Sequence, residues 1–175
     1  ALILGVSGQD GFFLSHRLLQ LGFNVIGLSR QISQKVDDSL LRNQNFRGIE
    51  MDFTKNADLG PLLKELQPEL VFNLAGFSHV GDSWLPRRES RIINSEFPKH
   101  LVAALTSYGR KGKPPRLFHA SSSEIFGAAS EQPQNENSPL NPVTPYGLDK
   151  TEAHMHILKA TTAGEIDAVC GVLYN

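Results

Sequence analysis

Cysteine is almost missing from this sequence. Cys170 stands alone, so no disulfide can form within the chain and a scaffold held by cross-links is excluded. Its apolar surroundings, Ala168, Val169, Val172 and Leu173, predict an inert core thiol and fit a cytosolic, cytoplasmic setting. An excess of either charge is missing too. Seventeen basic residues against eighteen acidic ones leave a formal charge of -1, so neither nucleic acid nor a membrane surface is an expected partner. A small molecule is expected instead. No apolar run approaches the ~18 residues of a membrane span, and the N-terminus lacks the basic flank of a signal peptide. Internal repeats are absent as well, and no metal-ligand cluster is expected.

What is present is an ordinary globular composition. With 40% apolar, 20% charged and 8% aromatic residues, 175 positions suffice for one domain, spanning 1–175, that buries a sizeable core. The chain opens at Ala1 inside an expected strand and stops at Asn175 directly after another, which reads as a fragment.

Short apolar runs alternate with helical spacings. The runs are Ala1 to Leu4, Val25 to Leu28, Leu70 to Phe72, Leu117 to Phe118 and Ala168 to Leu173, with Ile49 to Met51 a weaker one. Between them, Leu14, Leu18 and Leu21 end at Gly22, a good helix stop, and Leu59, Leu62, Leu63 and Leu66 repeat the same face. Ile93, Phe97, Leu101 and Leu105 form a third stripe. This alternation predicts an α/β fold, a doubly wound parallel sheet of Rossmann type with ligands at the carboxyl ends of its strands. The stretch from Ser130 to Pro145, with four prolines at 133, 139, 142 and 145, is a long irregular excursion. The basic run Arg110, Lys111, Lys113 and Arg116 is broken by Gly112, Pro114 and Pro115 and reads as a solvated loop.

Gly5, Gly8 and Gly11 follow the first strand and run into the first amphipathic helix. Glycines there allow a tight turn and close approach of a diphosphate to free amides at the helix N-terminus, so a dinucleotide cofactor is expected. Asp10 in that turn could also serve only as a helix cap. The second strand ends in Ser29 and Arg30 where an NAD site usually shows an acid, and a hydroxyl with a cation suits a 2′-phosphate. NADP is therefore expected. Asp52, after the third strand, is placed to bond an adenine amino group, and Phe53 is counted with it among the cofactor contacts. Asn73, Leu74, Ala75 and Gly76 close the fourth strand with small residues that let the backbone lie close to a cofactor.

Tyr146 and Lys150, introduced by Pro145, share one face of a helix. A phenol with a pKa of about 10 is a poor base, but a neighbouring ammonium favours the phenolate and makes proton exchange with a sugar hydroxyl feasible. After the fifth strand comes Ala120-Ser121-Ser122-Ser123-Glu124. Hydroxyls there can hold a carbonyl oxygen and a carboxylate can move a proton, although serines also suit turns and caps.

These residues carry a resemblance. Gly5-Val6-Ser7-Gly8-Gln9-Asp10-Gly11, Ser78-His79-Val80, Ala120 through Gly127 and Pro145-Tyr146-Gly147 resemble the extended short-chain dehydrogenase/reductase superfamily, and within it the GDP-mannose 4,6-dehydratase family. The resemblance implies that Gln9 joins the glycine turn in holding NADP. It implies that Tyr146 and Lys150 act in hydride transfer and that Glu124 removes the proton at carbon 5 of the sugar. It also implies that Ser78, Ser122, Glu124 and Asn175 contact a nucleotide-sugar substrate, with His79 structural. Ser122 falls where such dehydratases usually carry threonine; the serine keeps the hydroxyl and drops the methyl. The implied reaction is internal redox, with hydride leaving carbon 4 for NADP, water leaving across carbons 5 and 6, and hydride returning to carbon 6. A homo-oligomer, dimer or tetramer, and a C-terminal substrate domain missing from this chain are implied with it. A nucleotide-sugar epimerase or reductase of the same superfamily, or a catalytically silent NADP-binding module, are the competing readings.

Overall fold

The computed structural model describes residues 1–55, 58–77, 87–108, 114–128 and 133–174. Six parallel strands form one sheet in the order β3-β2-β1-β4-β5-β6: β1 Leu2–Leu4, β2 Val25–Ser29, β3 Phe46–Glu50, β4 Leu70–Asn73, β5 Arg116–Ser122 and β6 Asp167–Leu173. All the expected strands are present, and the order is that of the dinucleotide-binding doubly wound fold. The fifth is longer than its apolar residues suggest. Ala120, Ser121 and Ser122 continue the ladder opposite Gly171, Val172 and Leu173, so the hydroxyls lie on the strand's last turn of pleat rather than after it.

Parallel neighbours need crossovers, and their right-handed sense assigns the helices to faces. Helix α1 (Gln9–Gln20) and the single turns α2 (Ile32–Lys35) and α3 (Asp38–Leu41) cover one face, where Leu18, Ile32, Val36 and Leu40 meet Ile3, Val25 and Phe46. On the other face lie α4 (Leu59–Leu66), the helix that runs as α5 (Arg87–Arg91), a π-type turn (Ile92–Glu96) and α6 (Phe97–Ser107), and finally α7 (Pro145–Thr162). Leu63, Leu101, Leu105 and Ile157 are at most 1% exposed there. The stripe Ile93, Phe97, Leu101, Leu105 is buried throughout. That of α1 is not: Leu21 is 56% exposed, and the helix instead buries Gly11, Ser15 and Leu18. The helix has ended by Gln20, and Gly22 at φ 81° turns its own amide back to Leu19, so the stripe stops one turn short of Leu21.

The excursion before α7 folds back on the residues after β5. The amide of Asn141 donates to Ile125 and that of Ala128 to Asn141, with Gly127 at φ 47° where a side chain would meet the Asn141 carbonyl. Thr144 caps α7 by accepting from the amide of Gly147 at 2.9 Å, and Pro145 occupies the first turn.

Candidate active site

The switch point of the sheet, between β1 and β4, opens into a cavity of about 570 Å³. Its walls are Gly5, Gly8, Gln9, Asp10 and Gly11 on one side, Leu74 and Gly76 after β4, and Ala120, Ser121, Ser122, Tyr146, Lys150 and Leu173 on the other. Three separate sequence signals, the glycine turn, the hydroxyls of β5 and the Tyr-Lys pair, thus face one space.

The glycines differ in what they do. Gly5 sits at φ 89°, and a side chain there would lie 2.8 Å from the backbone of Ala75; at Gly11 it would lie 2.6 Å from the carbonyl of Gly5. Both positions are bare so that α1, β1 and the end of β4 can close together. Gly8 is otherwise: its nearest neighbour would be at 3.5 Å, so the fold itself tolerates a side chain there. Gly8 is also the N-cap of α1 with no side-chain cap, which leaves the first amides of the helix to a ligand. Asp10 lies in the first turn rather than at the cap, where its charge suits the helix dipole.

On the opposite wall Lys150 is 4% exposed, donates to the carbonyl of Ala120 at 2.6 Å and stands 6.0 Å from the Tyr146 ring centre. Burial draws its pKa down to about 8, with Cys170 opposing. Tyr146 departs from expectation. Burial raises its phenol above the usual value, a hydrogen bond with Ser122 lowers it and the Glu124 carboxylate raises it. Lys150 donates to Ala120, and burial outweighs its ammonium in setting the phenol. Ser122 also accepts from the amide of Glu124 at 3.3 Å, capping the short helical turn Ser123–Ile125. Glu124 itself lies off the cavity wall, beside Tyr146, and accepts from the Thr144 hydroxyl at 3.4 Å.

Other expected contacts lie further along the same edge. Arg30 is exposed beyond β2, whereas the hydroxyl of Ser29 is buried and bonded to Ser7 at 2.6 Å. The cation is therefore the part of that pair open to a ligand. Asp52 accepts from the amide and hydroxyl of Thr54 and pairs with Lys55 at 3.4 Å, which holds its carboxyl below the usual range. The Phe53 side chain is 6% exposed and packs against Phe97 in a tilted arrangement with ring centres 4.8 Å apart, placing it in the core. Ala75 is buried against Gly5. Ser78, His79 and Asn175 lie outside the described residues, as do Arg110, Lys111 and Lys113. Cys170 is half-buried on β6, its thiol pushed up to about 11 by burial, in keeping with an inert thiol.

Several supports were not singled out in the sequence. Asn94, 1% exposed in the π-type turn, accepts from the amide of Phe77 and donates to its carbonyl, fixing the chain after β4. Gly147 lets α7 approach the carbonyl of Glu124, which a side chain would meet at 2.6 Å. Thr144 before Pro145 was a readable cap signal. Asp149, 0% exposed, pairs with Arg87, and Arg91 and Lys99 reach Glu152 at 3.5 and 3.0 Å, tying α7 to the α5–α6 helix.

Comparison with known proteins adds family evidence. A family model described as GDP-mannose 4,6 dehydratase matches residues 2–175. A GDP-mannose 4,6-dehydratase of Vibrio cholerae serotype O1 is 33% identical over 183 residues, covering 100% of this chain and 49% of the relative. GDP-mannose 4,6 dehydratase 2 of Arabidopsis thaliana is 31% identical, with the same coverage of 100% and 49%. The chain therefore spans about half the length of the curated relatives it matches. Among solved structures, MoeE5 in complex with UDP-glucuronic acid and NAD is similar with a TM-score of 0.79 and 26% identity, over 98% of this chain and 52% of that one. A UDP-glucuronic acid 4-epimerase from Bacillus cereus, with UDP-glucuronic acid and NAD, shares the fold at a TM-score of 0.84 and 24% identity, over 97% and 54%.

Proposed function

The chain belongs to the GDP-mannose 4,6-dehydratase family, and from that premise we propose that the protein carrying it converts GDP-mannose to GDP-4-keto-6-deoxymannose with NADP as an internally recycled cofactor. The observation that carries this reading is the single cavity onto which the glycine turn, Ser122, Tyr146 and Lys150 all open, with Glu124 beside the tyrosine. Residues 1–175 form the NADP-binding domain, and a further part of the longer protein supplies most of the nucleotide-sugar pocket.

The cofactor fits what is there. The bare position of Gly8 and the uncapped start of α1 make a cradle of amides for a diphosphate, lined by Gln9 and Asp10. Arg30 suits the 2′-phosphate, Asp52 the adenine amino group with Phe53 behind it, and Leu74, Ala75 and Gly76 the middle of the molecule. When bound, NADP supplies a hydride acceptor at carbon 4 of the sugar and a hydride donor at carbon 6.

The protein's own groups move the protons. Tyr146 takes the proton of the carbon 4 hydroxyl, steadied by Ser122, which also holds the oxygen as it becomes a carbonyl. A buried phenol with a raised pKa is a strong base once ionised but needs a cation to reach that form, and Lys150 is the cation within reach. The new ketone acidifies carbon 5, and Glu124 removes that proton and passes it to the carbon 6 hydroxyl, so that water leaves across carbons 5 and 6. Thr144 holds the carboxylate in place until then.

Incubating the full-length protein with GDP-mannose and NADP tests the proposal: a 4-keto-6-deoxy sugar nucleotide is expected with no net change in cofactor, and an epimer or unchanged sugar would contradict it. A second reading, an epimerase or reductase, is favoured by one feature, the position of Glu124 off the cavity wall, since neither reaction needs a base at carbon 5.

A further inference from the structure

Helix α7 makes one polar contact to the sheet that the proposed chemistry does not use. Tyr146, Lys150 and His154 follow one another at four-residue spacing on one face of the helix, and all three reach β5 within residues 120–122. Tyr146 bonds to Ser122, Lys150 donates to the carbonyl of Ala120 at 2.6 Å, and Nδ1 of His154 meets the hydroxyl of Ser121 at 3.0 Å. Helical side chains lean toward the helix N-terminus, which lets His154, two turns beyond Tyr146, reach back up the strand. The last contact is a buried one. Ser121 is 3% and His154 9% exposed, and Ser121 belongs to the cavity wall beside Ser122.

Apolar packing alone does not fix a helix at one position. Past Lys150 the buried apolar residues of α7 are Ala153, Ile157 and Ala160; two of them offer only a methyl, and apolar contact has no preferred direction. A hydrogen bond has one. The ion pairs of Asp149 with Arg87 and of Glu152 with Lys99 hold α7 to the α5–α6 helix and not to the sheet. Nor are the other two contacts to β5 constant in the proposed reaction, because the Tyr146 phenol gives up and regains its proton beside the Lys150 ammonium. The contact of His154 with Ser121 keeps its protons throughout. Burial lowers the His154 imidazole below its ordinary value, so the ring is neutral near pH 7 and two neutral groups meet.

We propose that His154 and Ser121 are a positioning pair, whose hydrogen bond fixes α7 along and about its axis against β5 and so sets where the Tyr146 phenol and the Lys150 ammonium stand at the cavity. Without either partner the helix is free to shift on its small apolar residues, and water gains access to Lys150. The inference rests on the reading of Tyr146 and Lys150 given above for its weight in turnover, but not for its titration test.

Titration of carbon-13-labelled lysine side chains in the full-length protein decides it. The titratable groups that bear on Lys150 are Tyr146 on its own helix, His119 on β5 and Cys170 on β6, while the α5–α6 helix brings the neutral amide of Asn94 near it at Gly76. The variants leave all of these in place. Ser121→Ala and His154→Phe are each expected to raise the Lys150 midpoint from about 8 by about one pH unit as burial is relaxed, and the double variant to raise it no further. Ser121→Thr and His154→Asn, which keep a hydroxyl and a polar group at the place of Nδ1, should titrate as wild type. An unchanged midpoint in the two truncated variants, or additive shifts in the double one, would overturn the proposal, since a merely structural pair would lower the melting temperature and leave the midpoint of the folded protein alone. Turnover of GDP-mannose should fall roughly tenfold or more in kcat at unchanged KM, and a loss confined to KM would overturn it too. Should the truncated variants fail to fold, nitrogen-15 NMR of the wild-type histidines decides: Nδ1 of His154 shifted as a hydrogen-bonded nitrogen is expected, and an unbonded Nδ1 would contradict the pair. Absence of turnover in the wild type would count against the dehydratase reading and leave the titration fully readable.

Discussion

Glu124 divides the proposed chemistries, because elimination needs a base at carbon 5, whereas epimerisation at carbon 4 or simple reduction does not. Glu124→Gln keeps the shape of the side chain but cannot accept the proton. In the full-length protein it is expected to lower product formation by at least a hundredfold, as loss of a general base does, while bound cofactor still becomes reduced on mixing with GDP-mannose. Unimpaired turnover, followed by product analysis, would remove Glu124 from the reaction. Lys150 makes a different prediction, about stability. Its pKa is about 8 when folded against 10.5 in the open chain, so between those values the unfolded state binds more protons and stability rises with pH. Below pH 8 the burial penalty is fully present, on the order of 3 kcal/mol. Lys150→Met is therefore expected to be more stable than wild type at pH 7 by denaturant unfolding, with the advantage shrinking as pH climbs toward 10.5. At this scale the sequence revealed the chemistry-bearing residues because their types are specific. It did not reveal Asn94, whose role arises only when strands and helices far apart in the chain become neighbours, and it misjudged the sign for Tyr146, since desolvation is a property of the folded surroundings.

Elements follow from periodicity where they are apolar and long enough. The stripe from Ile93 to Leu105 became a buried helix face, and the strand runs became strands. The single turns Ile32–Lys35 and Asp38–Leu41 carry too few residues for a period, and the hydroxyl-rich end of β5 has no apolar signal although it pairs fully with β6. The turn between β1 and α1 gives the sharpest test of how an element serves a ligand. Gly11→Ala would drive a methyl to 2.6 Å from the Gly5 carbonyl and 2.7 Å from the backbone of Val6, and is expected to cost about 1 to 3 kcal/mol of stability. Gly8→Ala meets only an ordinary 3.5 Å contact with backbone in an extended conformation. It should leave the melting temperature within a few degrees of wild type yet weaken NADP binding tenfold or more by calorimetric titration. If both variants lose stability alike, or Gly8→Ala binds NADP normally, the turn is not a diphosphate cradle.

For the molecule as a whole, the order β3-β2-β1-β4-β5-β6 does what no single motif can: it carries the chain from β1 outward, returns it to the other side of β1, and leaves the crevice between β1 and β4 flanked by both halves of the site. The fold class was readable from the alternation of runs and helices, whereas the convergence of the first eleven residues with residues 120–150 on one cavity required the strand order. That convergence is what the proposed internal transfer requires, since a single cofactor held there would serve both the oxidation and the reduction. The direct test is to give the full-length protein GDP-mannose deuterated at carbon 4. The account predicts that the deuterium appears at carbon 6 of the 4-keto-6-deoxy product; deuterium lost to a separate cofactor pool, or retained at carbon 4 of an epimer, would contradict it.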